Sequence, residues 1–381
     1  MRCVVVGAGA WGLPAATELA VRGHEVTLLD RYGVGNPLSS SGGPTRIWRL
    51  THPDAVRVRL ARRAVDAWEA LARNSNRTLI LRRGLLWRDD IGLPAVLDAL
   101  RSEGVEHTEV DAADVGRFFP GLRPDGRDAV WQQTAGPVLA AESLRAHADL
   151  FAAAGGRTLT GPVVRAVEHR ASGPRVTCED GSQHDSDVVV LAPGPGAGPL
   201  MAGLGVILPM RPNLEQVMHF GDPADPGATD GFPCLYESPH GGEPGMYAMP
   251  TPGRGYKVGL DSPLRDLEPG DEDRTPDAEL VSRATERVRR DLTAIVPQAL
   301  DAEVCCWTDS PDGRFVIDTI ADGQVVLACG DSGEGFKFSA LMGPLLADLA
   351  EGAPPDADVA TFGLARFAGG VPETRTRILG G

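Results

Sequence analysis

"RCVVVGAGAWG", residues 2–12, runs from a short apolar strand into three glycines, Gly7, Gly9 and Gly12, in GxGxxG spacing. A helical pattern follows, and a second apolar strand ends at Asp30. In such a unit the first glycine makes the turn, the second lets the backbone approach a pyrophosphate, and the third packs helix against strand. The positive helix end faces the phosphates, and the terminal acid accepts hydrogen bonds from ribose hydroxyls. The sequence therefore predicts a βαβ dinucleotide-binding unit; the alternative is a purely structural glycine turn.

Two later segments repeat the arrangement of a strand followed by a glycine turn. "DVVVLAPGPGAG", residues 187–198, contains Gly194, and "VVLACGDSGEGFKF", residues 325–338, contains Gly333 and Gly335. An NAD-dependent dehydrogenase does not usually need such segments, whereas proteins that bind the longer FAD often contain them. A helix after the third turn would direct its positive end at a flavin ring. The three turns together favour FAD over NAD.

The composition limits the classes of partner. The chain has 381 residues, a formal net charge of −15 and no Lys/Arg-rich run, so a nucleic-acid partner is not expected. No apolar stretch is long enough to span a membrane, and the sequence predicts no signal peptide. The cysteines form no CxxC pair and the histidines show no metal-ligand spacing, which predicts neither a metal site nor a disulfide framework. A reduced, cytoplasmic protein is the expectation.

The cofactor-type segments lie at the start, middle and end of the chain, with less regular sequence between them. This layout predicts an α/β fold in which a Rossmann-like FAD-binding domain is interleaved with an α+β substrate domain built on a mixed sheet. The FAD-binding domain is expected to comprise residues 1–82, 136–208 and 305–381. The substrate domain is expected to comprise residues 83–135 and 209–304.

The two lysines of the chain, Lys257 and Lys337, stand out because the other 35 of its 37 basic residues are arginine. A GC-rich coding sequence favours arginine, and at an ordinary surface site the exchange costs little. It is costly where the chemistry needs a compact ammonium instead of a planar guanidinium. The two lysines are therefore candidate functional residues, and the alternative is that they survived by chance.

Five motifs, in this order and spacing, resemble those of the amine-oxidizing flavoenzymes of the D-amino acid oxidase superfamily. The similarity runs almost end to end and is greatest to the branch of monomeric sarcosine oxidase and N-methyltryptophan oxidase. The motifs are "GAGAWG" with Asp30, "PTRIWRLTH" (44–52), "YKVGLD" (256–261), "VCCWTDSPDGRFVID" (304–318) and "GDSGEGFKFS" (330–339).

This resemblance implies roles for residues around the flavin. Cys305 matches the cysteine that bonds covalently to the flavin 8α position, and strand alternation favours it over its neighbour Cys306. Lys257 matches the lysine near flavin N5 that promotes reaction with O2, where a buried ammonium stabilises developing negative charge. Thr45 and Arg46 match residues beside the flavin ring. The alternatives are two small core cysteines and a structural lysine.

The resemblance also implies a substrate subsite, in which Arg49 and Lys337 hold the substrate carboxylate. An arginine fork with a second cation suits a carboxylate, and a structural salt bridge is the alternative. Two positions depart from the sarcosine-oxidizing members, where histidines occupy them. These are Asp261 and Gly42, the latter within the loop predicted over residues 31–52. An acid at the first position is similar to a family member that acts on a cyclic imino acid, so Asp261 is a candidate for setting the protonation of the substrate amine.

The sequence thus predicts an FAD-dependent oxidase of a secondary amino acid, such as an N-substituted glycine or a cyclic imino acid. The products would be an imine and hydrogen peroxide, and the protein is expected to be a monomer whose partners are a small amino acid and O2. Three alternatives stay open. They are a primary amino acid or glycine oxidase, a flavin dehydrogenase that uses another acceptor, and a flavoprotein subunit without catalysis.

Overall fold

The computed structural model describes residues 1–372. Its strands, numbered in chain order, are β1 Arg2–Val6, β2 Glu25–Asp30, β3 Thr45–Trp48, β4 Leu85–Arg88, β5 Thr108–Val110, β6 Ala129–Gln132, β7 Gly136–Leu139, β8 Arg157–Thr160, β9 Val164–Glu168, β10 Arg175–Cys178, β11 Gln183–Asp185, β12 Val188–Leu191, β13 Arg211–Phe220, β14 Cys234–Glu237, β15 Met246–Thr251, β16 Gly255–Leu260, β17 Arg265–Asp266, β18 Ala299–Asp309, β19 Val316–Ile320 and β20 Val325–Cys329. Its α-helices are α1 Gly12–Val21, α2 Ala55–Ser75, α3 Leu93–Ser102, α4 Val115–Phe118, α5 Ala140–Ala153, α6 Ala197–Gly203, α7 Ala278–Asp291, α8 Ser339–Ala350 and α9 Ala357–Ala360.

The first sheet is built on the predicted βαβ unit. Its strand order is β19-β20-β12-β1-β2-β8, and every neighbouring pair is parallel except β19 with β20. Helices α1, α5 and α8 pack together beside this sheet, because their small and aliphatic residues bury a shared core. The three-stranded antiparallel sheet β9–β11 contributes to a separate core with β1 and β12. The Rossmann-like fold predicted from the glycine turn is therefore confirmed.

The second sheet is mixed and larger. Its order is β17-β13-β16-β15-β14-β4-β6-β5, and β18 pairs with β13. All its pairs are antiparallel except β14 with β4, and α7 packs against β13, β16 and β18. Its strands come from residues 85–132 and 211–309. The predicted domain boundaries stay a prediction. Strand β18 crosses the boundary predicted after residue 304, because its hydrogen-bonded ladder with β13 extends to Asp309.

One expectation about a loop was wrong. Residues 31–52 contain strand β3, which pairs antiparallel with β7. Its partner lies some ninety residues further along the chain, so no local pattern reveals the pairing. Helix α2 follows, and its first turn is capped by Asp54, whose side chain accepts a hydrogen bond from the backbone N–H of Arg57. None of the described helices has the length and apolarity needed to cross a membrane.

Candidate active site

A cleft of about 520 Å³ is lined by residues from both sheets and from the glycine turns. The fold thus brings together residues that are more than 300 positions apart in sequence. Most of the sequence-predicted site residues line this cleft, while Gly12, Thr45 and Asp261 are outside its lining. Those that line it are Gly7, Gly9, Asp30, Arg46, Arg49, Gly194, Lys257, Cys305, Gly333, Gly335 and Lys337.

The first glycine turn has no room for side chains. Gly7 has a φ of +99°, and a Cβ there would overlap the carbonyl oxygen of Ala192. A Cβ on Gly12 would overlap the carbonyl oxygen of Gly7, so helix α1 begins directly against the end of β1. The Asp30 carboxylate accepts a hydrogen bond of 2.8 Å from the backbone N–H of Ala8, which fixes the turn. The close packing at Gly7 and Gly12 matches the tight turn expected of a dinucleotide-binding unit.

The other two turns complete the same wall. Gly194 has a φ of +57°, and a Cβ there would meet nothing within 4 Å. The indole Nε1 of Trp11 donates a hydrogen bond of 3.0 Å to the carbonyl oxygen of Gly335, which ties the third turn to the first. A Cβ on Gly335 would lie 3.0 Å from the Trp11 ring, so a larger residue would disturb this contact. Gly333, with a φ of +68°, lies in the same turn.

Lys257 lies in the middle of strand β16, and its side chain is buried in the wall of the cleft. Its ammonium donates a hydrogen bond to the carbonyl oxygen of Thr45, whose hydroxyl is 2.8 Å from that of Thr251. Burial, followed by the nearby guanidinium of Arg46, lowers the pKa of Lys257 to about 7. Thr45 therefore helps to fix the lysine, although it does not line the cleft.

Glu303 on strand β18 is a charged cleft residue that the sequence analysis missed. Its carboxylate accepts a hydrogen bond of 2.7 Å from Arg254 and lies 3.9 Å from Nε2 of His219. His219, Arg254 and Lys257 together hold the pKa of Glu303 at about 2. A carboxylate that stays ionised favours the charged form of Lys257 and opposes the effect of burial.

Cys305 and Cys306 both line the cleft, so strand alternation alone does not distinguish them. The sulfur of Cys306 lies 3.4 Å from the hydroxyl of Ser40 and 3.5 Å from the carbonyl oxygen of Leu38, and its pKa is raised to about 11 by burial. Burial also raises the pKa of the Cys305 thiol, and the guanidinium of Arg46 opposes this effect. Lys257 also opposes it, whereas the carboxylates of Glu215 and Glu303 add to it. The choice of Cys305 over Cys306 therefore stays a prediction.

Arg49 is held by aromatic rings and by an acid. Its guanidinium carbon lies 4.4 Å from the ring centroid of Trp87, which stacks on Tyr236 with centroids 3.7 Å apart. One of its terminal nitrogens, Nη2, donates a hydrogen bond of 2.8 Å to Glu334. The ammonium of Lys337 lies 3.4 Å from the same carboxylate oxygen of Glu334. The two cations predicted to bind a carboxylate are thus side by side, and an internal carboxylate bridges them.

Glu334 lies within the quoted motif "GDSGEGFKFS", but the sequence analysis gave it no role. The carboxylate also lies 3.2 Å from Nε of Arg57. Burial opposes its ionisation, yet the charges of Lys337, Arg57 and Arg49 hold the pKa of Glu334 well below its usual value. Its partner Arg49 is 285 positions away in sequence, so no local signal reveals the contact.

Asp261 follows strand β16, and alternation places it on the same face as Lys257 and Gly259. The ring of Tyr247 covers Gly259, where a Cβ would overlap the ring, and Tyr247 itself lines the cleft. Tyr247 therefore lies over the residue that separates the lysine from the acid. The functional role of Asp261 stays a prediction.

Gly42, the second departure from the family pattern, lines the cleft. A Cβ at this position would lie 2.6 Å from the carbonyl oxygen of Asn36, closer than side chains tolerate. The carbonyl oxygen of Gly42 also accepts a hydrogen bond of 2.6 Å from Arg46. A histidine at this position would require a different loop conformation. The glycine found in place of the family's histidine is therefore explained by the conformation of this loop.

A family model described as DAO, FAD dependent oxidoreductase, matches residues 2–349. The chain belongs to this family. It is 27% identical over 379 residues to the peroxisomal sarcosine oxidase of Mus musculus, and 26% identical over 379 residues to the monomeric sarcosine oxidase of Arthrobacter sp.. Each alignment covers 96% of this chain and 96% of the relative.

A solved structure of NikD, an unusual amino acid oxidase essential for nikkomycin biosynthesis, superposes with a TM-score of 0.83 at 25% identity. The superposition covers 95% of this chain and 96% of that chain. The family deduced from the five motifs and the α/β fold are therefore confirmed, and the enzyme is an FAD-dependent oxidoreductase.

The cleft of this oxidoreductase fits FAD. Gly7 and Gly9 line it at the turn where a pyrophosphate would lie, and Asp30, the last residue of β2, lines it where a ribose would bind. Gly194 and Gly335 lie far from Gly7 in the sequence but line the same cleft. Arg46 and Lys257 line it as well, as expected for residues around a flavin ring.

Proposed function

We propose that this oxidoreductase converts a secondary amino acid, such as an N-substituted glycine or a cyclic imino acid, into an imine and reduces O2 to hydrogen peroxide. The observation that carries the proposal is that the cation pair Arg49 and Lys337 and the buried Lys257 line one cleft with the three glycine turns. The names of the relatives, which include sarcosine oxidases, support a secondary amine as the substrate.

The candidate site residues have separate roles in the proposed reaction. When bound, FAD accepts a hydride equivalent from the carbon next to the amine nitrogen and passes the electrons on. Arg49 and Lys337 hold the substrate carboxylate and thereby orient that carbon. The ammonium of Lys257 supplies a fixed positive charge where negative charge develops on O2. Asp261 is the candidate base that takes a proton from the substrate ammonium and leaves the reactive neutral amine. Thr45 and Arg46 support the flavin-facing loop.

The proposal is tested with a panel of N-alkylglycines, cyclic imino acids and primary amino acids mixed anaerobically with the purified holoenzyme. We expect loss of the visible flavin absorbance with at least one secondary amine and much slower loss with primary amino acids. A faster reaction with glycine or another primary amino acid would replace the proposal by a primary amino acid oxidase. Absence of bleaching by every amine would instead identify a flavoprotein without this catalysis.

We predict that FAD is attached covalently through Cys305. A thiolate is required for the bond, and the positive charges of Arg46 and Lys257 beside Cys305 support its formation there. Acid-precipitated protein should stay yellow, and a tryptic peptide spanning Cys305 should carry the flavin mass. Cys305→Ala should release free FAD on precipitation, whereas the neighbouring control Cys306→Ala should not. A colourless pellet from the unmutated protein would contradict the assignment.

A second prediction concerns pH. The folded-state pKa of Lys257 is lowered to about 7, so its ammonium is present below that pH and is lost above it. Flavin reoxidation by O2 should therefore slow as pH rises through the pKa of Lys257. Glu303→Gln removes a charge that raises this pKa, so the decline should move to lower pH. Asp301→Asn, which removes another acid bonded to Arg254, is the control. A profile that Glu303→Gln leaves unchanged argues against this coupling.

We further propose that the enzyme acts as a cytoplasmic monomer. The name of the Arthrobacter relative, a monomeric sarcosine oxidase, supports the monomer. None of the six cysteines is paired in a disulfide, which suits a reducing compartment. Gel filtration of the purified holoenzyme would show a mass near 40.2 kDa for a monomer.

A further inference from the structure

The carboxylate of Glu334 occupies donors that a substrate carboxylate would need. Nη2 of Arg49 donates to its Oε1 at 2.8 Å, and the ammonium of Lys337 lies 3.4 Å from the same oxygen. The other terminal nitrogen of Arg49, Nη1, donates to the carbonyl oxygen of Thr51. Only 12% of the Glu334 side chain is exposed, so water does not screen these interactions as it would at the surface. A ligand carboxylate that binds both cations therefore competes with Glu334.

Glu334 also has an anchor outside the cleft. Its second oxygen lies 3.2 Å from Nε of Arg57, a residue in the first turn of α2 that does not line the cleft. Arg57 also pairs with Asp54 at 2.8 Å. If Glu334 releases Arg49 and Lys337, this ion pair keeps its charge compensated. A buried carboxylate without such a partner would be costly.

Three cations face Glu334. They are Arg49, Arg57 and Lys337, and they hold the pKa of Glu334 well below its usual value. Arg57, which also faces the carboxylates of Asp54 and Asp312, stays beside Glu334 when a ligand carboxylate takes Arg49 and Lys337. The cluster is therefore suited to exchange one carboxylate for another at Arg49 and Lys337 without stranding either charge.

We propose that Glu334 is a specificity-determining residue that competes with the substrate carboxylate for Arg49 and Lys337, and that Arg57 stabilises Glu334 when it is displaced. The proposal rests on the assignment of Arg49 and Lys337 to the substrate carboxylate under the proposed function. The internal competitor weakens the binding of every carboxylate. Substrates must therefore gain additional affinity from the rest of the cleft, including the rings of Tyr236 and Tyr247 that line it. This selects larger amino acids over the smallest ones.

The test measures dissociation constants of acetate and of its uncharged analogue acetamide by perturbation of the flavin spectrum in the holoenzyme. Glu334→Gln should bind acetate roughly tenfold more tightly than the unmutated protein, because a competing charge-assisted interaction is removed. Binding of acetamide should change little. Asp301→Asn, which removes a carboxylate that pairs with Arg254 outside the cleft lining, is the control and should leave the acetate constant nearly unchanged. Unchanged or weaker acetate binding in Glu334→Gln would overturn the proposal.

The variant Arg57→Met tests the proposal that Arg57 stabilises Glu334 when a ligand carboxylate displaces it. It should weaken acetate binding, because displaced Glu334 loses its anchor, and this loss should disappear in the Glu334→Gln, Arg57→Met double variant. Equal losses in both backgrounds would show that Arg57 acts only on local structure and would overturn its assigned role. Acetate binding does not require turnover. If the amine panel fails but these shifts appear, the proposed function fails while the competition stands.

Discussion

Lys257→Met slows reoxidation of the substrate-reduced enzyme by O2 by about 10²–10³-fold, because one preorganised charge contributes about 2.7–4 kcal/mol to such a step. The ammonium is buried, fixed by the carbonyl oxygen of Thr45, and lines the cleft. Anaerobic reduction of the flavin by substrate slows much less, because that step develops no comparable negative charge near the lysine. Stopped-flow absorbance, with the two half-reactions followed separately, measures both effects.

Lys257→Arg is the matched control for charge. It keeps the positive charge but replaces a compact ammonium by a planar, more diffuse cation, so it should restore only part of the rate. A guanidinium at this buried position would also lie close to the positive charge of Arg46. Reoxidation near the unmutated rate in Lys257→Met would make the lysine structural and would remove the main support for an oxidase.

Arg49→Met raises the dissociation constant of the amino acid substrate by about 30- to several-thousand-fold, since loss of a buried charged partner costs about 2–5 kcal/mol. The variant also loses the stacking of the guanidinium on Trp87. Glu334 keeps Arg57 and Lys337 as partners, so the fold should survive the change. The constant is measured from the substrate dependence of anaerobic flavin reduction.

The uncharged amide of the same substrate is the control ligand for this variant. It lacks the carboxylate, so Arg49→Met should change its binding far less than that of the amino acid. Equal losses for the acid and the amide would show that Arg49 shapes the cleft without recognising the carboxylate. Tight binding of simple amines by the unmutated enzyme would argue against the carboxylate subsite altogether.

The cofactor half of the molecule could be predicted from the sequence because its signals are local. A Cβ on Gly12 would overlap the carbonyl oxygen of Gly7, five residues earlier, and the strands on either side have clear apolar patterns. The glycine spacing, the flanking apolar strands and Asp30 together predicted the βαβ unit. Lys257 was identified by the scarcity of lysine together with its motif.

The electrostatic partners in the site could not be predicted in this way. Glu334 and Arg49 are 285 positions apart, and the pairing of Glu303 with His219 depends on the register between β13 and β18. Such contacts follow from tertiary packing, which composition and periodicity do not report. Strand β3 was missed for the same reason, since its pairing partner β7 is distant in sequence.

The central claim, that one cleft joins amine oxidation to reduction of O2, is tested most directly by a single-turnover stoichiometry. The holoenzyme is reduced anaerobically with the best secondary amine of the panel, freed of excess substrate and mixed with oxygenated buffer. The account predicts that the flavin absorbance returns rapidly and that one equivalent of hydrogen peroxide appears per flavin. A flavin that stays reduced in O2 and is reoxidised only by an added electron acceptor would contradict it.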